Sequence, residues 1–327
     1  MINFILKILM EVNGLTFIKE IMKGSFSIVY LTSKQGTSTK YATKIYNKSN
    51  YFNELQAMKY INEESSILKE VNHPNIVKFI EKYEDETYIY ILLEFCNGGD
   101  LSYCLSKYLK ENNKPFSEEI VQYIMRQIIE AVKYLHNKKI IHRQIYLDNI
   151  MINYENEEDM KNNDIMKGKI KIGDFVISRY LQKGDLAKSF VGIPSILRPI
   201  MTHHIDDENG YDEKIDIWYI GCSCYELLTG KMPFRTIVHG VREGDYYVPI
   251  TLSKEAISFL NSTLQYDSKK RLSIHKLYNH KFLRKNVKEF NKINLDELKN
   301  INIIDNSKIV VNIKNNEIIR DYFGDGI

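Results

Sequence analysis

Cysteine is scarce in this sequence and forms no motif. The four cysteines stand at positions 96, 104, 222 and 224 of 327 residues. None lies in a C-x-x-C pair, and none has a histidine at metal-ligand spacing. That argues against a disulfide framework or a zinc site and for free, buried thiols in a reducing compartment. An excess of charge of one sign is missing too. Forty-five Lys and Arg against 42 Asp and Glu leave a net charge of +3, so neither nucleic acid nor an anionic membrane surface is an expected partner. The apolar start, residues 1–10, is too short to span a bilayer. It lacks a basic leading region and a small-residue cleavage site, and Glu11 follows at once. These ten residues leave open a translation start at Met10 or a short added helix or strand. No internal repeat is visible.

The balance of 44% hydrophobic and 27% charged residues is that of a globular protein. The length suits one large two-part domain or two ordinary ones. Residues 16–46 are rich in β-branched and aromatic positions, broken at Lys23-Gly24-Ser25 and Gln35-Gly36-Thr37, which predicts a run of hairpins. Helix formers over residues 53–70, with apolar Leu55, Met58, Ile61 and Leu68, predict a helix ended by His73-Pro74-Asn75. Residues 77–79 and 88–95 read as two further strands, and Asn97-Gly98-Gly99 as a change of direction. The character then turns helical. Ser117 suits an N-cap, Glu118 and Glu119 suit a first turn, and Ile120, Ile124, Ile128, Ala131 and Leu135 form one apolar stripe. Residues 154–168 read as an acidic, Asn-rich solvated loop between two short strands, and residues 216–228 as an apolar helix closed by Thr229-Gly230. The expected class is α+β: a small antiparallel sheet with one helix, then a large, mainly helical portion, joined near residue 96.

Several short motifs follow one another at set distances. Residues 142–149 read His-Arg-Gln-Ile-Tyr-Leu-Asp-Asn, with Asn149 five places after Gln144. Lys44 closes Tyr41-Ala42-Thr43-Lys44 on the third predicted strand, and Asp174 opens Asp174-Phe175-Val176. Gly24 and Val29 lie in a turn over residues 21–29. Leu93-Glu94-Phe95-Cys96-Asn97-Gly98-Gly99-Asp100-Leu101 and Asp216-Ile217-Trp218-Tyr219-Ile220-Gly221 complete the set. In this order and spacing, over roughly residues 14–284, the chain resembles the eukaryotic Ser/Thr protein kinases. Residues 93–101 are similar to the autophagy-initiating, uncoordinated-like branch. The resemblance implies the bilobal protein-kinase fold: an N-lobe at 14–96 and a C-lobe at 97–284, between an extension at 1–13 and a tail at 285–327 that carries no recognised motif.

It also implies a site for ATP and Mg²⁺. Phosphoryl transfer needs a cover over the phosphates, a cation upon them, metal ligands and a placed acceptor hydroxyl. The cover falls to the turn with Ile21, Gly24 and Val29, where two of the family's glycines are replaced by Met22 and Ser27. The cation is Lys44. Its partner is Glu64 rather than Glu63, because Leu68, one turn on, then faces the core. Asn149 and Asp174 are the implied metal ligands. The backbone of Glu94 and Cys96 would meet the adenine edge, Asp100 the ribose, and Val29, Ala42 and Met151 the ring faces. Leu68, Phe79, His142 and Phe175 would stack as a hydrophobic column anchored by Asp216. Each feature also has a plainer reading: a simple hairpin for the turn, a surface pair for Lys44 and Glu64, ordinary core for the aliphatic positions.

The departures from the family cluster. Gln144 stands where the family has the Asp that accepts the substrate hydroxyl's proton, and a carboxamide cannot take a proton near neutral pH. Tyr146 replaces the Lys that reaches the transferring phosphate, and Ile193 the Thr or Ser that bonds both. Ile200 replaces the Glu that pairs with a late Arg, here Arg271. Ile193 and Ile200 are expected to turn into the large lobe, and Arg271 to take Asp206, Asp207 or backbone carbonyls as acceptors. The reading is a pseudokinase of the cytoplasm that binds Mg-ATP and acts as scaffold or allosteric partner, with an active protein kinase or another protein as its partner. Two alternatives stand beside it: a weakly active Ser/Thr protein kinase, and an interaction module that binds no nucleotide.

Overall fold

A computed structural model describes residues 14–24, 27–51, 55–181, 187, 211–234, 245–249, 251–265, 267–284, 308–312 and 317–319. They gather into two compact units. The first is built on strands β1 (Leu15–Lys23), β2 (Ile28–Lys34) and β3 (Lys40–Asn47), helix α1 (Leu55–Glu70), and strands β4 (Phe79–Glu84) and β5 (Tyr88–Glu94). The five strands form one antiparallel sheet in the order β1-β2-β3-β5-β4. Apolar residues from sheet and helix close its core, among them Leu31, Ile45, Ile61, Ile67, Leu68, Ile89 and Ile91, all buried. The strand expected at 77–79 lies instead at Phe79–Glu84. Glu81, Lys82 and Glu84 hid it, because β4 is an edge strand, where charges blunt further pairing. Val77 serves another purpose: its amide donates to the Ile172 carbonyl.

In chain order there follow α2 (Leu101–Asn112), α3 (Glu118–Asn137), β6 (Ile140–Ile141), β7 (Ile150–Asn153), α4 (Glu157–Lys161), β8 (Lys169–Ile172) and β9 (Arg179–Tyr180). The expected boundary lay near residue 96; the units divide at Gly99, and residues Met151–Arg179 belong with the first. Hydrogen bonds explain that membership. The Ile172 amide donates to Asn75 O at 2.9 Å, and Asn75 Nδ2 to Ile170 O at 2.8 Å. The Gly98 amide donates to Ile152 O at 2.9 Å, where a Cβ on Gly98 would stand 2.6 Å from the Tyr154 ring. Residues 154–168 are not a plain loop: α4 and a 3-10 turn at Ile165–Lys167 interrupt it, with Ile165 buried.

The second unit holds α2 and α3, then α5 (Lys214–Thr229), strand β10 (Asp245–Pro249), α6 (Lys254–Thr263), α7 (Ile274–Tyr278), α8 (Lys281–Arg284), and strands β11 (Lys308–Asn312) and β12 (Glu317–Ile319). Ser117 caps α3, its hydroxyl accepting from the Ile120 amide at 3.4 Å. Ile124, Ile128, Ala131 and Leu135 are fully buried, and Ile120 half so. Helix α5 is buried nearly all round and ends on Gly230, whose φ of 72° suits a residue without a side chain. The tail, in which no motif is recognised, supplies β11 and β12. Strand β11 pairs antiparallel with β10, and β12 with β11.

Candidate functional site

In the first unit, charged side chains meet on β3. Residues two apart on a strand share a face, so Ala42, Lys44 and Tyr46 point the same way, with Val29 opposite Lys44 in the β2–β3 register. Lys44 Nζ lies 2.9 Å from Glu64 Oε1 and 2.7 Å from Asp174 Oδ1. Helix α1 delivers Glu64 because Ile61 and Leu68, on the same side, are buried; Glu63 is only half-buried. Asp174 arrives at the end of the segment that β8 ties to residues 75–77, and its φ of 55° is a left-handed conformation that few residues besides Gly, Asn and Asp adopt readily. Next to it Phe175 is fully buried.

Lys44 is buried and Glu64 fully so. Burial, the largest single influence, works against the Lys44 ammonium, yet Asp174 and Glu64 together hold its pKa well above the ordinary lysine value. Burial pushes Glu64 upward, opposed by the Lys44 charge and by a hydrogen bond from Tyr46. With the ammonium at 2.9 Å and the Tyr46 hydroxyl at 2.5 Å, the geometry supports the ionised pair. Tyr46 was missed in the sequence; its place two residues after Lys44 on a strand was the signal.

The other expected residues of this unit fall as follows. Ile21 is exposed on β1, and Gly24 turns the chain there, its amide donating to Ser27 O at 2.8 Å. Val29, Ala42 and Met151 are half-buried. The Glu94 carboxylate takes Lys171 Nζ at 2.8 Å and the Lys78 amide at 3.1 Å. Among the described residues no hydrogen bond reaches the backbone of Cys96. Burial pushes the Cys96 thiol up to about 12, so it is no nucleophile at neutral pH.

In the second unit, Asp216 on α5 is fully buried and gathers the loop after β6. Its Oδ2 accepts from the His142 amide at 3.0 Å and meets His136 Nε2 at 2.8 Å; its Oδ1 accepts from the Arg143 amide at 2.7 Å. Burial pushes Asp216 up, but these donors bring its pKa net below the ordinary carboxylate value. Ser223, two turns along α5, donates to Ile145 O at 2.8 Å. The loop is therefore clamped at both ends. Between the clamps, Gln144 Nε2 approaches the Tyr146 hydroxyl only to 3.5 Å, while Gln144 Oε1 is buried with no hydrogen-bond partner among the described residues. Asn149 Nδ2 donates to Gln144 O at 3.2 Å. Asp100 accepts the Tyr103 amide at 2.7 Å as the N-cap of α2.

Arg271 is buried and finds backbone carbonyls. Its Nε donates to Gln265 O at 2.7 Å and one terminal nitrogen to Lys214 O at 3.0 Å, with the guanidinium 4.9 Å over the Trp218 ring. Burial lowers its pKa to about 10, which leaves it charged at neutral pH. Ile193, Ile200, Asp206 and Asp207 lie outside the described residues.

Comparison with known proteins gives this arrangement its place. The family described as "Protein kinase domain" matches residues 15–283. The chain is 31% identical to myosin light chain kinase A of Dictyostelium discoideum over 83% of its own length and 88% of that protein's. It is 33% identical to the serine/threonine-protein kinase polo of Drosophila melanogaster over 80% of this chain and 43% of that one. It is 29% identical to the serine/threonine-protein kinase atg1 of Dictyostelium discoideum over 82% and 39%. The chain thus spans most of the first relative and about two fifths of the other two. The antiparallel five-stranded sheet, the helical second unit and the match over most of the length agree, and the chain belongs to the protein kinase family, with that family's bilobal fold.

Proposed function

We propose that the chain is a pseudokinase: it holds Mg-ATP and acts through its conformation, as scaffold or as allosteric partner of an active protein kinase or another protein. One contrast carries this reading. Lys44 meets both Glu64 and Asp174 within 2.9 Å, whereas the loop has the neutral Gln144 and Tyr146 where transfer needs a base and a cation. Lys44 would take the phosphates, and the backbone at Glu94 and Cys96 the adenine. The donor set suits Mg²⁺, which prefers oxygen. Asp174, whose Oδ1 meets Lys44, and Asn149, whose nitrogen donates to Gln144 O, are both oxygen-bearing side chains of the kind that ion takes. When bound, the ion would offset phosphate charge.

No disulfide joins the four cysteines, which supports a reducing, cytoplasmic setting. Among the described residues no helix is long and apolar enough to cross a membrane. Residues 93–101 favour the autophagy-initiating branch, though 29% identity to atg1 is matched by 33% to polo.

The test is thermal stability with and without Mg-ATP, together with an autophosphorylation assay. A ligand selective for the folded state must raise the melting temperature. A rise without phosphoryl transfer is the expected result; no rise at millimolar nucleotide points to an interaction module instead. A weakly active kinase is the second reading, favoured by Gln144 itself. Its buried amide oxygen can still accept from a hydroxyl, and in a loose transition state positioning matters more than early proton removal.

A further inference from the structure

Tyr46 touches both members of the buried pair. Its hydroxyl donates to Glu64 Oε2 at 2.5 Å, and Lys44 Nζ sits 5.4 Å from its ring centroid. Tyr46 is 1% exposed and Glu64 0%. One carboxylate oxygen therefore rests on the ammonium and the other on the phenol. Burial first, and then the Glu64 charge, push the Tyr46 pKa well above the ordinary tyrosine value, so the phenol keeps its proton and remains the donor. Without that hydroxyl, Glu64 Oε2 would be a buried anionic oxygen lacking this donor, a costly state. Among the described residues, Lys44 would then be the one hydrogen-bonded tie of Glu64 to β3, and Lys44 is shared with Asp174.

We propose that Tyr46 is a positioning residue. It gives Glu64 a second tether to β3 that does not depend on the shared lysine, and so sets α1 and Lys44 in the phosphate-binding arrangement before any ligand arrives. A helix held this way needs no modification or bound partner to bring its glutamate to the lysine. The chain's nucleotide site would be built to stay assembled rather than to be switched on. The nucleotide part of this inference rests on the function proposed above; the part about α1 does not.

The experiment compares the full chain with Tyr46→Phe, which keeps the ring beside Lys44 and removes only the hydroxyl. Hydrogen exchange of α1 amides should quicken by about ten-fold or more, the factor carried by a hydrogen bond to a buried charge. Amides of α3, in the other unit, should be unchanged, showing that the fold is intact. Unchanged exchange in α1 would overturn the proposal. In parallel, the Kd of Mg-ATP should rise by about ten-fold while that of adenosine, which carries no phosphate, stays the same. Equal weakening of both would mean that Tyr46 serves general packing and not the phosphate site, which also overturns the proposal. If the unmodified chain binds neither compound, the nucleotide reading fails and the exchange of α1 alone decides the role of Tyr46.

Discussion

Lys44 and Gln144 stand in two polar clusters that differ in charge. Around Lys44, one cation serves two carboxylates, and a phenol fills the remaining oxygen of Glu64. Around Gln144, a neutral amide and a neutral phenol stand 3.5 Å apart, and the amide oxygen has no hydrogen-bond partner among the described residues. A buried charge can be lost from a linked cluster only if its partners go too, since a single replacement strands the others. The first cluster holds every member that the family resemblance implies. The second holds Gln144 and Tyr146 where the family resemblance leads to an expected Asp and Lys, and Ile193 in the sequence is a third such departure. Yet the clamp beneath the second cluster, Asp216 with His136 and the amides of His142 and Arg143, is fully formed. One short loop thus joins a charged, fully formed clamp to a neutral pair of side chains.

That contrast can be broken experimentally. The largest effect should come from Asp216→Ala, which leaves the His136 ring and two buried amides without their acceptor. A loss of about 3–5 kcal/mol in denaturant unfolding is expected, against less than about 1 kcal/mol for Gln144→Ala, because the Gln144 side chain makes no strong bond among the described residues. Similar losses for the two would erase the distinction between clamp and cluster. Next in size is the nucleotide effect. Mg-ATP at about 100 times its Kd should add about 2.7 kcal/mol of stability, and either Lys44→Met or Asp174→Ala should abolish the rise in melting temperature. A rise that survives both substitutions would place the nucleotide elsewhere.

A third measurement sharpens the contrast at the loop. Phosphoryl transfer should lie below about 1% of an ordinary kinase, and Gln144→Asp alone should not restore it, because Tyr146 remains. Full recovery would show the change at 146 to be neutral. The smallest effect concerns Glu226 on α5, whose carboxyl is pushed up to about 7, first by burial and then by Asp148. The folded chain binds this proton more tightly than the unfolded one, where the ordinary value is 4.5. Its contribution to stability is therefore complete below about pH 4.5 and lost as pH rises through 7. Glu226→Gln should raise the melting temperature slightly at pH 8 and leave it unchanged at pH 4. An equal change at both values would exclude titration as the cause.

Local signals made much of this legible in the sequence. Glu64 could be chosen over Glu63 because a helix repeats its faces, and Leu68 is indeed buried one turn on. Ser117 and Gly230 marked helix ends through their own chemistry. Tyr46 escaped because its place two residues after Lys44 signals only a shared strand face, and not a bond to a glutamate 18 residues away. Strand β4 escaped because an edge position lets charges into a strand. The acceptors of Arg271 are carbonyls, which every residue carries and no sequence displays.

The pairing of β10 with β11 also constrains when this protein can finish folding. Pro249 meets Lys308, and about sixty residues separate them. During synthesis the ribosome releases β10 long before its neighbour exists. Tyr246, which packs edge-on against Tyr225 and donates to Asn261, can settle early. The backbone edge that β11 later covers cannot. For that interval a nascent chain presents an open strand edge, the kind of template on which other extended segments add. The closing entropy of so long a loop grows only as the logarithm of its length, so the cost lies less in final stability than in the time spent exposed.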